Sequence, residues 1–188
     1  FTLPGAPMLY YGDEIGMGDN IALDDRNGVR TPMQWNDGEN GGFSSARIEN
    51  LYTPPVSGPD FGYHAVNVLA QQITPNSLLN VIREMIQVRK SHPLLGRGEL
   101  VWLDYLPKEA LCFWRKHGDE RLLALHNLSD EPITINIPAE GLEVIMAGGS
   151  TARLDEDNSS AELPAYGYMW LVPAEQEHRR EQETHHTS

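Results

Sequence analysis

The sequence predicts an α+β chain in two parts, and three observations carry that prediction. A short continuous apolar run, Pro7-Met8-Leu9-Tyr10-Tyr11, lies near the start. One strongly amphipathic segment ends at Arg89. Beyond Gly98 the hydrophobic period changes to two and holds through six short segments. A buried-type strand, one helix and then alternating strands separated by turns describe a helix-and-sheet region followed by a small antiparallel sandwich or barrel.

The run at 7–11 is bounded by Gly5 and Gly12. It lacks the alternation of a half-exposed strand and reads as one buried on both faces of a parallel sheet. Asp13 and Glu14 follow where it stops. Such a strand needs neighbours and a crossover helix, and no second run of this kind comes before the helix. The chain is therefore expected to be a piece of a larger protein. Residues 16–57 are polar and turn-rich with no helical or alternating period. Met33, Trp35, Phe43, Leu51 and Tyr52 favour an ordered, packed loop there over a linker.

The helix is expected to start with Thr74 as cap and Pro75 at its first position. Leu78, Leu79, Ile82, Met85, Ile86 and Arg89 then follow helical spacing. Arg89, Lys90 and His92 suit the negative end of the helix dipole, and Pro93 and Gly96 close it. Strands are expected at 99–106, 111–116, 121–128, 133–137, 142–146 and 166–172, with turns such as His117-Gly118-Asp119 between them. Residues 174–188 carry no apolar residue beyond Ala174 and are expected to be disordered. His178, His185 and His186 belong to that tail and read as solvated residues, not metal ligands.

A formal net charge of −13 argues against nucleic acid and against anionic membrane surfaces, both of which select a basic face. No run approaches the ~20 apolar residues that span a bilayer, and no export signal is present. Cys112 is the single cysteine, so no intramolecular disulfide forms. It reads as an inert core residue in a reducing cytoplasm. No pattern specifies an oligomeric state.

Two groups of residues could carry chemistry. Asp13 and Glu14 stand at the carboxyl end of the first strand, where ligands bind in barrels and open α/β sheets. As adjacent strand residues they point to opposite faces and cannot flank one bond as a pair. Hydrogen bonding to the neighbouring loop is the plainer role. The second group is Asp25-Arg26-Asn27-Gly28-Val29-Arg30-Thr31-Pro32-Met33-Gln34-Trp35. Two arginines four apart can grip carboxylates or a polyhydroxylated ligand, and Trp35 offers a stacking face. Equally, an Arg–Asp pair could pin a long loop with Trp35 as its plug. The acidic residues between Asp13 and Asp25 match no calcium loop. Asn127-Leu128-Ser129 and Asn158-Ser159-Ser160 fit the glycosylation acceptor pattern, which is common by chance.

These residues also carry a family likeness. The stretch from Leu3 through Pro7-Met8-Leu9-Tyr10-Tyr11-Gly12-Asp13-Glu14 to Met17 resembles the eighth barrel strand and following turn of the α-amylase superfamily of glycoside hydrolases. Gly16-Met17-Gly18-Asp19-Asn20-Ile21 and the 25–35 segment resemble its trehalose synthase branch, the maltose α-D-glucosyltransferases. Arg30-Thr31-Pro32-Met33-Gln34-Trp35 is shared with related α-glucosidases. The likeness continues through Gly62-Tyr63-His64-Ala65-Val66-Asn67-Val68, Val88-Arg89-Lys90-Ser91-His92-Pro93 and Asn127-Leu128-Ser129 to Pro164-Ala165-Tyr166-Gly167-Tyr168-Met169-Trp170.

The resemblance implies the last strand and helix of a (β/α)₈ barrel over 1–97, with its long active-face loop. An antiparallel β-sandwich would follow over 98–173, and a tail over 174–188. It implies maltose, trehalose and glucose as partners. The reaction would be a retaining double displacement, in which two carboxyl groups about 5 Å apart form and resolve a glucosyl-enzyme. The freed glucose would turn within a closed pocket and attack again, water exclusion deciding between isomerisation and hydrolysis. The family's nucleophile, acid/base and stabilising aspartate come from earlier strands, so no catalytic residue is expected in this chain. Arg26, Arg30, Asp25 and Trp35 become pocket-loop or sugar-binding candidates, and Asp13 and Glu14 supports behind the pocket wall. No cofactor is implied here, with calcium left open for the rest of the parent. The alternatives are a hydrolase of the same superfamily, such as an α-glucosidase or α-amylase, or a non-catalytic carbohydrate-binding or structural sandwich module.

Overall fold

The computed structural model describes residues 1–104, 106–149 and 151–177. The chain divides into two units: Pro7–Ile86, and Phe1–Ala6 together with the chain from Gln87 onward.

Within Pro7–Ile86 most of the chain is loop, shaped by 3₁₀ turns at Asp13–Ile15, Asp25–Val29, Glu39–Gly42 and Ile48–Asn50. Residues 7–11 are not a strand here, and Met8, Leu9, Tyr10 and Tyr11 are exposed. A parallel strand exists only through its ladder partners, and among the described residues no strand pairs with this run. Two helices complete the unit's elements, α1 (Val68–Ile73) and the first part of α2 (Leu78–Ser91). At six residues, α1 is too short to leave a periodic signal. It starts because the Asn67 side chain accepts from the Ala70 amide at 2.8 Å.

The expected helix cap at Thr74 is three residues early, because Thr74 instead ends α1. Asn76 then takes a left-handed φ of 60°. Ser77 begins α2 by accepting the Asn80 amide at 3.3 Å, leaving Pro75 in the connection. The apolar face of α2 buries Leu79 and Ile82, and Leu79 joins Ile15 and Met33 in a small core.

Among its described residues the second unit holds α3 (Leu94–Arg97) and eight strands: β1 (Glu99–Trp102), β2 (Ala110–His117), β3 (Glu120–Asn127), β4 (Ile133–Asn136), β5 (Leu142–Gly148), β6 (Arg153–Leu154), β7 (Ser160–Leu163) and β8 (Tyr168–Pro173). Pro93 and Gly96 thus open and run through α3, and Gly98 ends it. All pairings are antiparallel, in a five-stranded sheet β1-β2-β3-β8-β5 and a three-stranded sheet β4-β7-β6. The sequence reading misses β6 and β7, one only two residues long and the other carrying its alternation in Ser-Ala-Glu-Leu. There Ala161 and Leu163 are buried and Glu162 pairs with Arg153 at 2.6 Å.

Gly118, at φ +59°, makes the two-residue turn between β2 and β3. Cys112, Leu123, Leu125, Met169 and Leu171 of the large sheet meet Ile135, Ala161 and Leu163 of the small one in a single core. The opposite face of the large sheet buries Phe113, Leu122, Ala124 and Trp170, and α3 packs against β2 and β3.

Residues 174–177 form a helical turn instead of the expected disorder. Gln176 Oε1 accepts from the Arg121 amide at 2.9 Å, and Glu177 meets the buried His92 Nε2 at 3.1 Å. The remainder of the expected disordered tail, with its three histidines, lies outside the described residues.

Candidate functional site

Residues between Tyr11 and Thr53 line a mostly apolar, half-open cavity of about 460 Å³. Tyr11 and Glu14 stand on one side of it. Arg30 and Trp35 come from the segment 25–35, and Phe43 and Tyr52 from the loop beyond. Of the predicted site residues, Glu14, Arg30 and Trp35 are brought together here. Arg26 and Asp25 are not: both are exposed and pair with each other at 3.4 Å. An exposed pair of that kind contributes less than ~1 kcal/mol. Asp25 also takes a left-handed φ of 52°, a conformation in which Asp and Asn are enriched among non-glycine residues.

The two acidic residues turn back on the chain before them. Asp13 Oδ2 accepts the Tyr10 amide at 2.9 Å and Glu14 Oε2 the Gly12 amide at 2.8 Å. Gly12 has φ +96°, and a Cβ there would stand 2.9 Å from Met17 Sδ. The carboxylates therefore stabilise a turn that glycine permits, and Glu14 alone of the two also reaches the cavity.

The loop's order comes from polar side chains more than from the aromatic residues, of which Trp35, Phe43 and Tyr52 are exposed. Gln34 is fully buried and donates through Nε2 to the Phe61 carbonyl at 3.2 Å and that of Val66 at 2.5 Å. Asn40 donates to the carbonyls of Ser44 and Ala46. The Trp35 amide donates to Gly41 O at 2.8 Å, and the Leu69 amide to Trp35 O at 3.0 Å. Gly28 closes the loop at its base, where a Cβ would fall 2.6 Å from the Asn20 carbonyl oxygen.

Sequence reasoning missed Tyr11 as a cavity residue. Its hydroxyl donates to the Thr31 carbonyl at 3.0 Å, a partner 20 residues away that no local pattern announces. Local desolvation of its hydroxyl and the adjacent Tyr10 hydroxyl raise the phenol pKa of the otherwise exposed Tyr11, and the nearby positive charge of Arg30 partly opposes that rise. A guanidinium, a carboxylate and several aromatic faces around one concavity form a site suited to a polyhydroxylated ligand, whose hydroxyls need fixed polar partners and whose C–H faces need flat apolar ones.

Other residues singled out by sequence have structural roles. Asn127 is buried and donates to the carbonyls of Glu131 and Pro164 at 2.7 and 2.8 Å, so its amide serves the fold. Among the described residues there is no group of three or more metal-ligating side chains, and no helix is long and apolar enough to cross a membrane.

Residues 1–98 match the α-amylase catalytic domain model, and residues 119–172 match the C-terminal domain model of sucrose hydrolase-like proteins. Trehalose synthase of Thermus thermophilus is 46% identical over 76% of this chain, which spans 15% of that protein. Trehalose synthase/amylase TreS of Mycobacterium tuberculosis H37Rv is 42% identical over 90% of the chain and 30% of its own length. A probable α-glucosidase of Rhizobium meliloti is 31% identical over 88% of the chain and 31% of its own length. The chain therefore spans less than a third of these relatives. Among solved structures, isomaltulose synthase from Erwinia rhapontici superposes with a TM-score of 0.75 at 23% identity over 91% of this chain and 36% of its own. The α-amylase of H. orenii gives 0.70 at 25% identity over 92% and 33%. With a catalytic-domain match over more than half its length, the chain belongs to the α-amylase family.

Proposed function

We propose that the chain is a portion of an enzyme that interconverts maltose and trehalose by intramolecular α-glucosyl transfer. Residues 1–97 would be the closing strand and helix of its (β/α)₈ barrel, with the active-face loop, and 98–173 its antiparallel β-sandwich. The family-model match ending at residue 98 supports that division. The exposed apolar run at 7–11 has the composition of a barrel strand whose neighbours the rest of the parent would supply.

One observation carries the reading: the 25–35 segment, where the likeness to trehalose synthases is read, delivers Arg30 and Trp35 to the same cavity as Glu14. In the parent, Arg30 would hold sugar hydroxyls and Trp35 would cover the C–H face of a ring. The exposed Arg26–Asp25 pair would lock the loop at its entrance. Asp13 and Glu14 would brace the turn at Gly12. The nucleophile and acid/base, a retaining pair about 5 Å apart, would come from strands outside this chain. The loop would exclude water, so that released glucose and not solvent attacks the intermediate.

A same-family hydrolase differs only in which acceptor attacks. Incubating the full-length protein with maltose and separating trehalose from glucose decides between them. Trehalose in excess over glucose is expected, and glucose alone would establish the hydrolase. Replacing Arg30 with Ala in the full-length enzyme is expected to raise the glucose fraction several-fold. A fall in melting temperature with an unchanged product ratio would make Arg30 a loop support only.

A further inference from the structure

β1 and β4 are edge strands, each paired on one side only, β1 with β2 and β4 with β7. Between the end of β1 and β4 lies a cavity of about 670 Å³, within the ~300–1,000 Å³ of small-molecule sites. All its lining residues belong to the sandwich unit. Backbone bonds pin both walls. The Leu103 amide donates to the Cys112 carbonyl at 3.3 Å where β1 stops, and the Ile137 amide to the Ser159 carbonyl at 2.8 Å where β4 stops.

Trp102 lines this cavity and is 58% exposed. Its ring meets that of the fully buried Phe113 edge-on, with centroids 5.6 Å apart, so the indole is held in place without being covered. Alternation along β4 turns Ile135 into the core and leaves Thr134 and Asn136 exposed on the cavity wall, where Asp104 joins them. Among the described residues, the side chains of Asp104, Thr134 and Asn136 have no hydrogen-bond or ion-pair partner.

The charge of the lining and the chemistry of the edges select the ligand. Among the described lining residues there is no lysine, arginine or histidine, and Asp104 on a chain of net charge −13 repels an anion. Addition of a peptide strand is opposed as well. β1 and β4 are four residues each, and Pro107 and Pro138 beside them offer no amide donor. A neutral polyhydroxylated ligand suits both halves of the wall. Its C–H faces stack on the indole, while its hydroxyls donate to Asp104 and exchange hydrogen bonds with Thr134 and Asn136.

We propose that this cavity is a glycan-binding site of the sandwich, taking an α-linked glucose oligosaccharide with Trp102 as its stacking face and Asp104, Thr134 and Asn136 as hydroxyl partners. The choice of glucose units rests on the proposed maltose and trehalose reaction; the stacking and hydrogen-bonding geometry does not.

The test follows amide exchange in the full-length protein across a maltotriose titration. Exchange at residues 101–104 and 134–137 is expected to slow by about threefold at saturation. Trp102→Ala is expected to raise the titration midpoint by at least about tenfold and Asn136→Ala by about threefold. Asn136→Ala removes only an exposed side chain, and it decides should Trp102→Ala fail to fold. Exchange at those residues that ignores maltotriose, or a midpoint unmoved in both variants, would overturn the proposal. So would slowing that follows protein concentration and not sugar, which would make the two edges a contact between copies of the chain. Maltose turnover is read separately: a protein that makes neither trehalose nor glucose yet shows the titration keeps the glycan site and loses the proposed reaction.

Discussion

Gln34 shows how one residue can organise a loop that carries no regular structure. It is fully buried, and its amide donates to two carbonyls more than 25 residues further on. Gln34→Leu keeps the volume and leaves those carbonyls without a donor, so a loss of about 1–3 kcal/mol is expected in urea unfolding followed by tryptophan fluorescence. Cys112 illustrates the reverse case, a reactive group made inert. Burial pushes its thiol up to about 11 from 9, which at neutral pH means about 100-fold less thiolate than an ordinary cysteine. Labelling by a disulfide reagent at pH 7 should therefore await unfolding, and rapid labelling of the native protein would show that β2 opens locally. Arg30 and Trp35 were legible as candidates because their side-chain types suit a sugar, and both line the cavity. Tyr11 and Gln34 were not, since their partners lie far along the chain.

Elements with regular periods were legible, and those built by side-chain capping were not. α2 and most of the long strands fall close to where the spacing places them. α1, β6 and β7 are short, and polar groups near their ends define them. The turn between β6 and β7 is the clearest case: both carboxylate oxygens of Asp155 accept from Ser159 and Ser160, through backbone amides and hydroxyls. Those bonds hold its pKa at about 2 against an ordinary 3.8. A depressed carboxyl pKa means that the turn's stabilisation is complete above pH ~4 and disappears as pH falls toward ~2. Asp155→Asn should remove that acid dependence, with amide exchange at Ser159 and Ser160 becoming fast at every pH. Protection at those amides that survives in the variant would show that backbone pairing alone holds the turn.

At the scale of the whole molecule, polar anchors join distant parts of the chain. His126 on β3 accepts or donates through Nε2 to the Thr2 hydroxyl at 3.4 Å, while its Nδ1 meets the Leu111 carbonyl at 3.0 Å. Burial lowers its pKa below the ordinary 6.5, so the unfolded chain takes up the proton more readily than the folded one. Its contribution to stability is therefore complete above pH ~6.5 and is lost as pH falls below that value. A melting temperature that drops between pH 7.5 and 5.5, and drops less in His126→Gln, is the expected result. Equal slopes in both proteins would assign the pH dependence to other groups.

The amino-acid sequence by itself determined the α+β class, the main helix, the long strands, the family likeness and the identity of Arg30 and Trp35 as candidate ligands. Each follows from periodicity or residue type, which are local properties. Only the tertiary structure decided that Arg26 stays outside the cavity while Tyr11 lines it. It alone decided that the first six residues join the sheet unit through Arg89 and Arg115, and that the run at 7–11 pairs with no strand among the described residues. Those outcomes depend on which carbonyls and strands come within reach once the chain is folded, and hydrogen-bond geometry over such separations leaves no trace in spacing along the chain.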